Sequence, residues 1–321
     1  MNSILITGAF GFIGSNLSRY LKENCDLNLI ALDIIEPNNH VYDCFYSWEQ
    51  VQEISQIDSI IHLAGKAHDI NNISLEQDYY DINVGLTIQI FQLFLNSNAT
   101  KFIFFSSVKA VAETVIGNQL TEDQKCNPQT PYGKSKFEAE RYILSQSLPS
   151  DKRVYILRPC MIHGPGNKGN LNLLYRLVQK RIPWPLGEYA NLRSFTSIGN
   201  LMFIVRELIE NDVDPGIYLL ADDEPLSTNE LIGIIAQSLK KKARIWRIPK
   251  WSIRTLAKFG DIFHLPLTNE RLKKLTESYV VSNKKIKSAL GVTSLPFAAK
   301  EGLLNTLESF NFNVTSKQLN R

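Results

Sequence analysis

Residues 7–14 read TGAFGFIG and stand between a short apolar run, residues 4–7, and a helical pattern that includes Leu17 and Leu21. A strand, a glycine-rich turn and a helix in this order are typical of a dinucleotide-binding unit. Glycine permits the tight turn and lets the backbone approach a pyrophosphate, whose charge the free N–H groups of the helix N-terminus stabilise. The residues of this turn predicted to bind the cofactor are Gly8, Phe10, Gly11, Phe12, Ile13 and Gly14.

Asp33 decides which dinucleotide is expected. It ends the second predicted strand, 19 residues after Gly14. A carboxylate at this position accepts hydrogen bonds from a ribose diol and repels the additional phosphate of NADP. The three residues that follow, Ile34, Ile35 and Glu36, offer no basic group to bind that phosphate. NAD is therefore the predicted cofactor, and NADP is the less favoured alternative.

The apolar runs of the chain predict a doubly wound parallel sheet. They are too uniformly apolar for half-exposed strands, and they alternate with helix-length amphipathic stretches, as in a sheet covered on both faces by its crossover helices. The predicted strands are residues 4–7, 29–33, 59–63, 102–106, 154–157 and 216–220. The expected fold class is α/β, of the Rossmann type.

The second half of the chain is more irregular and predicts a second lobe. Prolines mark its turns, and Ser227 followed by Glu230 is a capping box for a helix that runs through Leu239. We predict an NAD-binding domain over residues 1–165, with residues 191–222 folding back onto it. Residues 166–321 are expected to form a smaller α/β lobe that binds the substrate.

Ser107 and the pair Tyr132-x-x-x-Lys136 form the candidate catalytic set. Ser107 follows a predicted strand, and Tyr132 comes 25 residues later. Positions four apart share a helix face, so Lys136 is expected to stabilise the phenolate of Tyr132 and to lower its pKa. Tyr132 would then exchange a proton with a substrate hydroxyl that Ser107 orients, while a hydride moves between the carbinol carbon and the nicotinamide.

Composition excludes several other classes of protein. The chain has 35 basic and 32 acidic residues, and its formal charge of +3 gives no basic footprint for nucleic acid. Its four cysteines are widely spaced, which favours a reducing compartment and argues against structural zinc. The first residues do not read as a signal peptide, and no apolar stretch reaches the roughly 20 residues of a membrane span. We expect a cytoplasmic protein without membrane insertion.

Seven segments together resemble the extended short-chain dehydrogenase/reductase superfamily. They are TGAFGFIG, the strand-end Asp33, HLAG at 62–65, DINVGLT at 81–87, FFSSVKA at 104–110, PYGKSK at 131–136 and LRPCMIHGPG at 157–166. Within it, the chain is most similar to nucleotide-sugar epimerases and 4-ketosugar reductases of bacterial surface-polysaccharide pathways. The resemblance implies a nucleotide-diphosphate sugar, most readily a UDP-sugar, as substrate and a homodimer formed by two helices of each subunit.

The resemblance also implies site residues that spacing alone does not give. The further cofactor contacts are Leu63, Ala64, Gly65, Asn83, Tyr132 and Lys136. The substrate contacts are Ser107, Asn170, Arg193, Arg271 and Tyr279. Asn170 matches a position that holds the diphosphate or uracil, Arg193, and less closely Arg271, matches a phosphate-binding arginine, and Tyr279 resembles the position that gates N-acetylated sugars. None of His62, His68 and His163 is expected to be catalytic. Met161 stands where galactose epimerases usually have asparagine, which leaves the sugar open.

The segment after Ser107 narrows the reaction. Similar sugar 4,6-dehydratases carry an acid pair there, whereas this chain has Val108 and Lys109, and the glutamate of the related decarboxylases is also missing. A 4-epimerase and a 4-ketosugar reductase remain. Asp33 favours NAD and hence the redox-neutral epimerase. A non-catalytic dinucleotide sensor is the alternative of another class, and the complete Ser-Tyr-Lys set argues against it.

Overall fold

Strands rich in isoleucine, leucine and phenylalanine form the centre of the molecule. The computed structural model describes residues 2–67, 75–167, 169–263 and 267–319, with side chains except those of Asn170 and residues 311–319. The strands are β1 (Asn2–Thr7), β2 (Leu27–Asp33), β3 (Cys44–Ser47), β4 (Ser59–His62), β5 (Lys101–Phe105), β6 (Arg153–Pro159), β7 (Met161–His163), β8 (Leu192–Arg193), β9 (Phe195–Ser197), β10 (Gly216–Leu220) and β11 (Leu226–Ser227).

Helices connect and cover these strands. They are α1 (Phe12–Asn24), α2 (Glu76–Tyr80), α3 (Leu86–Asn96), α4 (Pro131–Ser145), α5 (Asn170–Gln179), α6 (Ile198–Glu210), α7 (Thr228–Ser238), α8 (Lys250–Phe263), α9 (Asn269–Thr276), α10 (Lys284–Leu290) and α11 (Ala299–Leu319). A π-helical turn, Asp81–Gly85, joins α2 to α3. Within the described ranges, every helix is too short or too polar to span a membrane.

The predicted doubly wound sheet is confirmed. Seven parallel strands lie in the order β10-β6-β5-β4-β1-β2-β3. All six predicted strands are members of it, and β3 is the one that the sequence did not reveal. Only four residues long and partly exposed at the sheet edge, β3 lacks the buried apolar run that marks the others. The strand order reverses between β1 and β4, and ligands bind at the carboxyl ends of the strands at such a point.

Each face of the sheet buries its own set of helices. On one face, Ile4 and Ile6 of β1 pack with Leu17 of α1 and Leu201 of α6. On the other, Leu5 packs in the cluster that contains residues of α3 and α4. Because alternate strand residues point to opposite faces, uninterrupted apolar strands are needed to fill both clusters.

A separate apolar cluster holds the C-terminal helices together. It contains buried residues of α5, α7, α8, α9 and α11, among them Leu231, Ile253, Ala257 and Leu272. The predicted capping box of α7 is present: the hydroxyl of Ser227 accepts a hydrogen bond from the amide of Glu230, and the Glu230 carboxylate accepts one from the amide of Ser227. The helix ends at Ser238, one residue earlier than predicted.

Candidate active site

The glycine-rich turn leaves no room for side chains at two of its positions. Gly8 has a φ of +66°, and a Cβ there would lie 2.8 Å from the amide nitrogen of Ala64. A Cβ on Gly14 would lie 2.4 Å from the carbonyl oxygen of Ala9. Gly11 stands at the N-cap of α1 and has no side chain with which to cap the first N–H groups. These groups face the turn, as a phosphate site requires.

Asp33 holds the turn in place from the neighbouring strand. Its carboxylate accepts hydrogen bonds from the amides of Phe10, at 2.9 Å, and Ile34, at 2.8 Å. Each carboxylate oxygen has a further lone pair, and the side chain is only half-buried. The Phe10 ring packs against the rings of His40 and Tyr42. The structure thus gives Asp33 a bracing contact in addition to its predicted ribose contact.

The end of β4 lies against this turn. Leu63 donates from its amide to the Thr7 carbonyl at 3.2 Å, and Ala64 donates to the Thr7 hydroxyl at 3.1 Å. A Cβ on Gly65 would lie 2.7 Å from Oδ1 of Asn83 and 3.1 Å from Nζ of Lys136. The predicted phosphate turn, the HLAG segment and the helix that carries Lys136 therefore meet at one edge of the sheet.

Asn83 is fully buried and joins two of these segments. Its Oδ1 accepts from the amide of Lys66 at 2.8 Å, and its Nδ2 donates to the Lys66 carbonyl at 3.0 Å and to the Ser135 hydroxyl at 2.9 Å. Both amide hydrogens are used within the protein. This geometry makes Asn83 a positioning residue for the loop after β4, and its direct cofactor contact stays a prediction.

His62 is the centre of a buried hydrogen-bond chain that sequence reasoning missed. The Thr87 hydroxyl donates its one hydrogen to the backbone carbonyl of Asn83 at 2.6 Å. The same hydroxyl oxygen lies 3.0 Å from Nε2 of His62 and must therefore accept a hydrogen bond from it. Nδ1 of His62 then accepts from the Thr7 hydroxyl at 2.7 Å. Burial, together with the charge of Lys136, lowers the pKa of His62 to about 3. A neutral imidazole thus ties β1 to α3 beneath the cofactor turn.

Ser107 and Tyr132 are brought together by the start of α4. Thr130 caps this helix, since its hydroxyl accepts from the amide of Gly133 at 3.2 Å. A Cβ on Gly133 would lie 2.4 Å from the carbonyl oxygen of Lys109, in the turn that follows Ser107. Glycine inside the YGKSK segment is therefore what allows this close approach. The hydroxyl of Ser107 is hydrogen-bonded to the phenol of Tyr132.

Lys136 lies one turn farther along α4 and is almost entirely buried. Its Nζ donates to the carbonyl oxygen of Phe105 at 2.9 Å. Burial lowers the pKa of Lys136 to about 8, although the negative charge of Glu140 acts to raise it. Burial also raises the pKa of Tyr132, although the bond from Ser107 acts in the opposite direction. The pKa of this phenol therefore shifts opposite to the predicted direction, because desolvation outweighs the stabilisation of its charged form.

A buried ion pair joins α4, which carries Tyr132 and Lys136, to strand β6. The carboxylate of Glu140 accepts from Nε of Arg158 at 2.9 Å and from Nη2 at 2.5 Å, and the Ser106 hydroxyl donates to the same carboxylate. Both charged side chains are at most 3% exposed. Sequence analysis missed Glu140, although it lies four residues after Lys136 and so continues the face that carries Tyr132 and Lys136.

Arg193 and Tyr279 approach the site from the C-terminal part of the chain. Arg193 donates to the carbonyl oxygen of Lys274, and its Nε is buried without a hydrogen-bond partner among the described residues. Burial lowers the pKa of this guanidinium, and Glu277 opposes the shift. The Tyr279 hydroxyl donates to the Ala112 carbonyl at 2.7 Å, in the segment that follows Ser107. Tyr279 therefore lies beside the catalytic serine loop.

The remaining predicted residues lie apart from this cluster or outside the description. Arg271 is exposed in the first turn of α9. The backbone of Asn170 begins α5, but its side chain lies outside the described part, as does His68. His163 is buried and hydrogen-bonded to Thr306 at 2.8 Å, and Met161 is 37% exposed. The structure gives His163 a packing partner rather than a reacting one.

The residues present fit a dinucleotide. Gly8, Gly14 and Gly65 keep a path along the strand ends free of side chains, and the uncapped start of α1 offers N–H groups to phosphate. Asp33 offers carboxylate oxygens at the end of the adjacent strand. Gly8, Gly14 and Asp33 were predicted from their place in the sequence and Gly65 from the family resemblance, and all lie along one edge of the sheet.

Comparison with known proteins agrees with this geometry. The model of the NAD dependent epimerase/dehydratase family matches residues 4–221. The UDP-glucose 4-epimerase of Vibrio cholerae is 29% identical over 319 residues, which cover 96% of this chain and 95% of that protein. The N-acetyl-alpha-D-glucosaminyl-diphospho-ditrans,octacis-undecaprenol 4-epimerase of Escherichia coli O157:H7 is 27% identical over 332 residues, with coverage of 96% and 95%.

A solved structure gives the same result for the fold. The UDP-glucose 4-epimerase of Thermotoga maritima, crystallised with UDP-glucose, superposes with a TM-score of 0.77 at 20% identity and covers 97% of this chain and 99% of its own. The predicted fold and the predicted NAD-dependent enzyme class are confirmed. Since the family model matches more than half of its residues, the chain belongs to the NAD dependent epimerase/dehydratase family.

Proposed function

We propose that this chain is a 4-epimerase of a nucleotide-diphosphate sugar, acting on a UDP-hexose or a UDP-N-acetylhexosamine. The observation that carries the proposal is the hydrogen bond between Ser107 and Tyr132, with the buried amino group of Lys136 one helical turn away. A phenol in this arrangement is equipped to move a proton on and off a sugar hydroxyl. NAD, when bound, supplies the reversible acceptance of hydride from the sugar carbon.

The protein's own residues would act on the 4-hydroxyl of the sugar. Tyr132 takes the proton of this hydroxyl as the C4–H bond breaks, which leaves a 4-keto sugar, and Ser107 donates a hydrogen bond to the same oxygen. Lys136, held by the Phe105 carbonyl, stabilises the charge that develops on the phenol. After the sugar turns its other face, Tyr132 returns the proton and the product is the C4 epimer.

Arg193 is the best candidate for the substrate diphosphate. A guanidinium binds a diphosphate through two parallel hydrogen bonds, and burial strengthens them. Nε of Arg193 is buried and unpartnered within the described ranges, so an anion there would satisfy it. Tyr279, whose hydroxyl is anchored on the segment after Ser107, is our candidate for the residue that limits the size of the sugar substituent.

The names of the relatives support two kinds of diphosphate carrier on the sugar, a nucleotide and a polyprenol. The Vibrio cholerae relative is named for UDP-glucose, and the Escherichia coli relative for a sugar carried on undecaprenyl diphosphate. Both are matched over nearly their whole length. A polyprenyl-diphosphate sugar is therefore the second candidate substrate, and the 4-ketosugar reductase is the alternative reaction.

The test is incubation of the purified protein, without added cofactor, with UDP-glucose, UDP-N-acetylglucosamine and their C4 epimers, followed by NMR of the products. Parallel reactions contain polyprenyl-diphosphate N-acetylglucosamine, or a UDP-4-keto sugar with added NADH. Interconversion of a pair at C4 is the expected result, and the Tyr132→Phe protein is the control for contaminating activity. Unchanged UDP-sugars together with epimerised polyprenyl-diphosphate N-acetylglucosamine would move the assignment to the lipid-linked substrate. Loss of NADH in step with a 4-keto sugar would replace the epimerase by the reductase.

A further inference from the structure

Helix α8 has two apolar faces, of which only one is covered. Ile253, Ala257 and Gly260 are buried and pack toward the C-terminal cluster. A surface helix normally keeps charged or polar residues on its opposite face. Here the opposite face carries large apolar side chains: Trp251 is 72% exposed, Leu256 51%, Phe259 51%, Ile262 67% and Phe263 66%.

Basic residues flank this exposed apolar face. At 100° per residue, Lys250, Arg254 and Lys258 form one row along α8 at its side. All three are exposed. An amphipathic helix with aromatic and aliphatic residues on one side and lysine or arginine beside them is typical of helices that lie in a membrane interface.

The positive charge extends well beyond α8. Residues 240–274 contain eleven basic residues and two acidic ones, whereas the remainder of the chain has 24 basic and 30 acidic residues. One contact fixes part of this segment beside α8: the amide of Asn269 in α9 donates to the carboxylate of Asp261 at 3.1 Å. Lys241 donates to the Gln179 carbonyl of α5 at 2.7 Å. The small net charge of the whole chain therefore conceals a strongly basic segment that includes α8.

We propose that α8 and its basic surroundings dock this protein on a membrane surface rich in anionic lipid. A second copy on this face would bring two sets of cations together, and such repulsion opposes a symmetric contact. Nucleic acid would match the positive charge but would leave the apolar side chains of Phe259, Ile262 and Phe263 without an apolar partner. Acidic headgroups above an acyl layer match both the basic row and the apolar face.

The docking surface connects to the substrate side of the protein. Arg193, the proposed diphosphate ligand, donates to the carbonyl of Lys274 in α9, which packs against α8. A membrane under α8 and α9 would thus lie close to the lobe that binds the sugar diphosphate. Docking itself does not rest on the proposed epimerase activity, since it requires neither substrate nor catalysis.

The test measures binding of the full-length protein to vesicles by co-sedimentation. Vesicles of phosphatidylcholine mixed with phosphatidylglycerol are compared with vesicles of phosphatidylcholine alone, without substrate. We expect binding to the anionic vesicles only. The paired change Arg254→Glu and Lys258→Glu should weaken it by about fivefold or more per residue. The paired change Phe259→Ser and Ile262→Ser should weaken it by about tenfold or more.

Matched controls lie on other surfaces of the chain. Ile116 is 82% exposed and Lys125 is also exposed, so Ile116→Ser and Lys125→Glu should leave vesicle binding unchanged. Absence of binding by the unaltered protein to anionic vesicles would overturn the proposal. So would binding that survives the Phe259 and Ile262 changes, which would indicate a simple polyanion contact. If light scattering shows that the Phe259 and Ile262 changes convert a larger assembly to a smaller one, this face would instead contact a second copy of the protein.

Discussion

At the scale of single residues, the most direct test concerns proton transfer by the phenol of Tyr132. Removing its hydroxyl leaves the glycine-rich turn and Asp33 untouched, so NAD should stay bound while proton transfer is lost. We expect Tyr132→Phe to lower kcat by about a hundredfold to ten-thousandfold. Tyr142→Phe, on the same helix but packed against Phe91, is the control and should keep its activity. Near-normal turnover by the Tyr132 variant would remove it from the mechanism.

His62 makes stability depend on pH. Its pKa is about 3 in the folded protein and 6.5 unfolded, so between these values the unfolded chain binds more protons and stability rises with pH. When the pH falls from about 7 to about 4.5, this histidine should lower the free energy of unfolding by roughly 3 kcal/mol. In urea unfolding, the free energy of unfolding of His62→Gln should therefore decrease less on acidification than that of the unaltered protein. His40→Gln, at an exposed histidine, is the control. Equal losses in all three proteins would contradict this account.

At the residue scale, the sequence allows a prediction where a local spacing implies proximity. Tyr132 and Lys136 are one helical turn apart, and the glycines of the first turn, Gly8, Gly11 and Gly14, recur at every third residue. The structural role of His62 could not be predicted, because its partners, Thr7 and Thr87, lie 55 and 25 residues away and meet it only in the folded sheet. The pKa of Tyr132 was predicted in the wrong direction because burial cannot be read from spacing.

At the scale of elements, the ion pair of Glu140 and Arg158 joins α4 to β6. Taking away one charge leaves the other buried and unpaired. Glu140→Gln should lower the free energy of unfolding by about 3 kcal/mol or more, measured in urea near neutral pH. Glu270→Gln, which breaks the exposed pair with Lys274 on α9, is the matched control and should cause no measurable change. A similar small effect of both changes would show that the buried pair does not hold these elements together.

The elements that the sequence predicts best are those buried on both faces. The strands of the central sheet other than β3 have continuous apolar runs, because helices cover them above and below. Strand β3 lies at the edge, and its segment CFYS has no such run. The exposed apolar face of α8 escaped notice for a related reason, since periodicity shows that a helix has apolar faces but not which of them is covered.

At the scale of the whole molecule, the division at residue 165 stays a prediction. Strand β10 pairs with β6 at the edge of the central sheet, and α6 packs in the same cluster as β1. We therefore propose that residues 191–222 belong with the NAD-binding domain, as predicted. The proposed catalytic residues come from the first part of the chain and the proposed diphosphate arginine from the second, so the substrate would contact both.

The predicted homodimer can be tested on the outer face of α3 and α4. A shallow groove there is lined by Val84, Ile88, Glu138, Arg141, Tyr142, Leu144 and Ser145. Leu144 is 59% exposed, and a stable two-fold interface needs about 800 Å² from each partner, centred on apolar residues of this kind. A charge at this position would be repeated by symmetry and buried without a partner, so Leu144→Glu should convert the dimer to a monomer in light scattering. Leu173→Glu, at an equally exposed leucine of α5, should leave the dimer intact. A dimer that survives Leu144→Glu would place the subunit contact elsewhere. A monomeric unaltered protein would contradict the predicted homodimer.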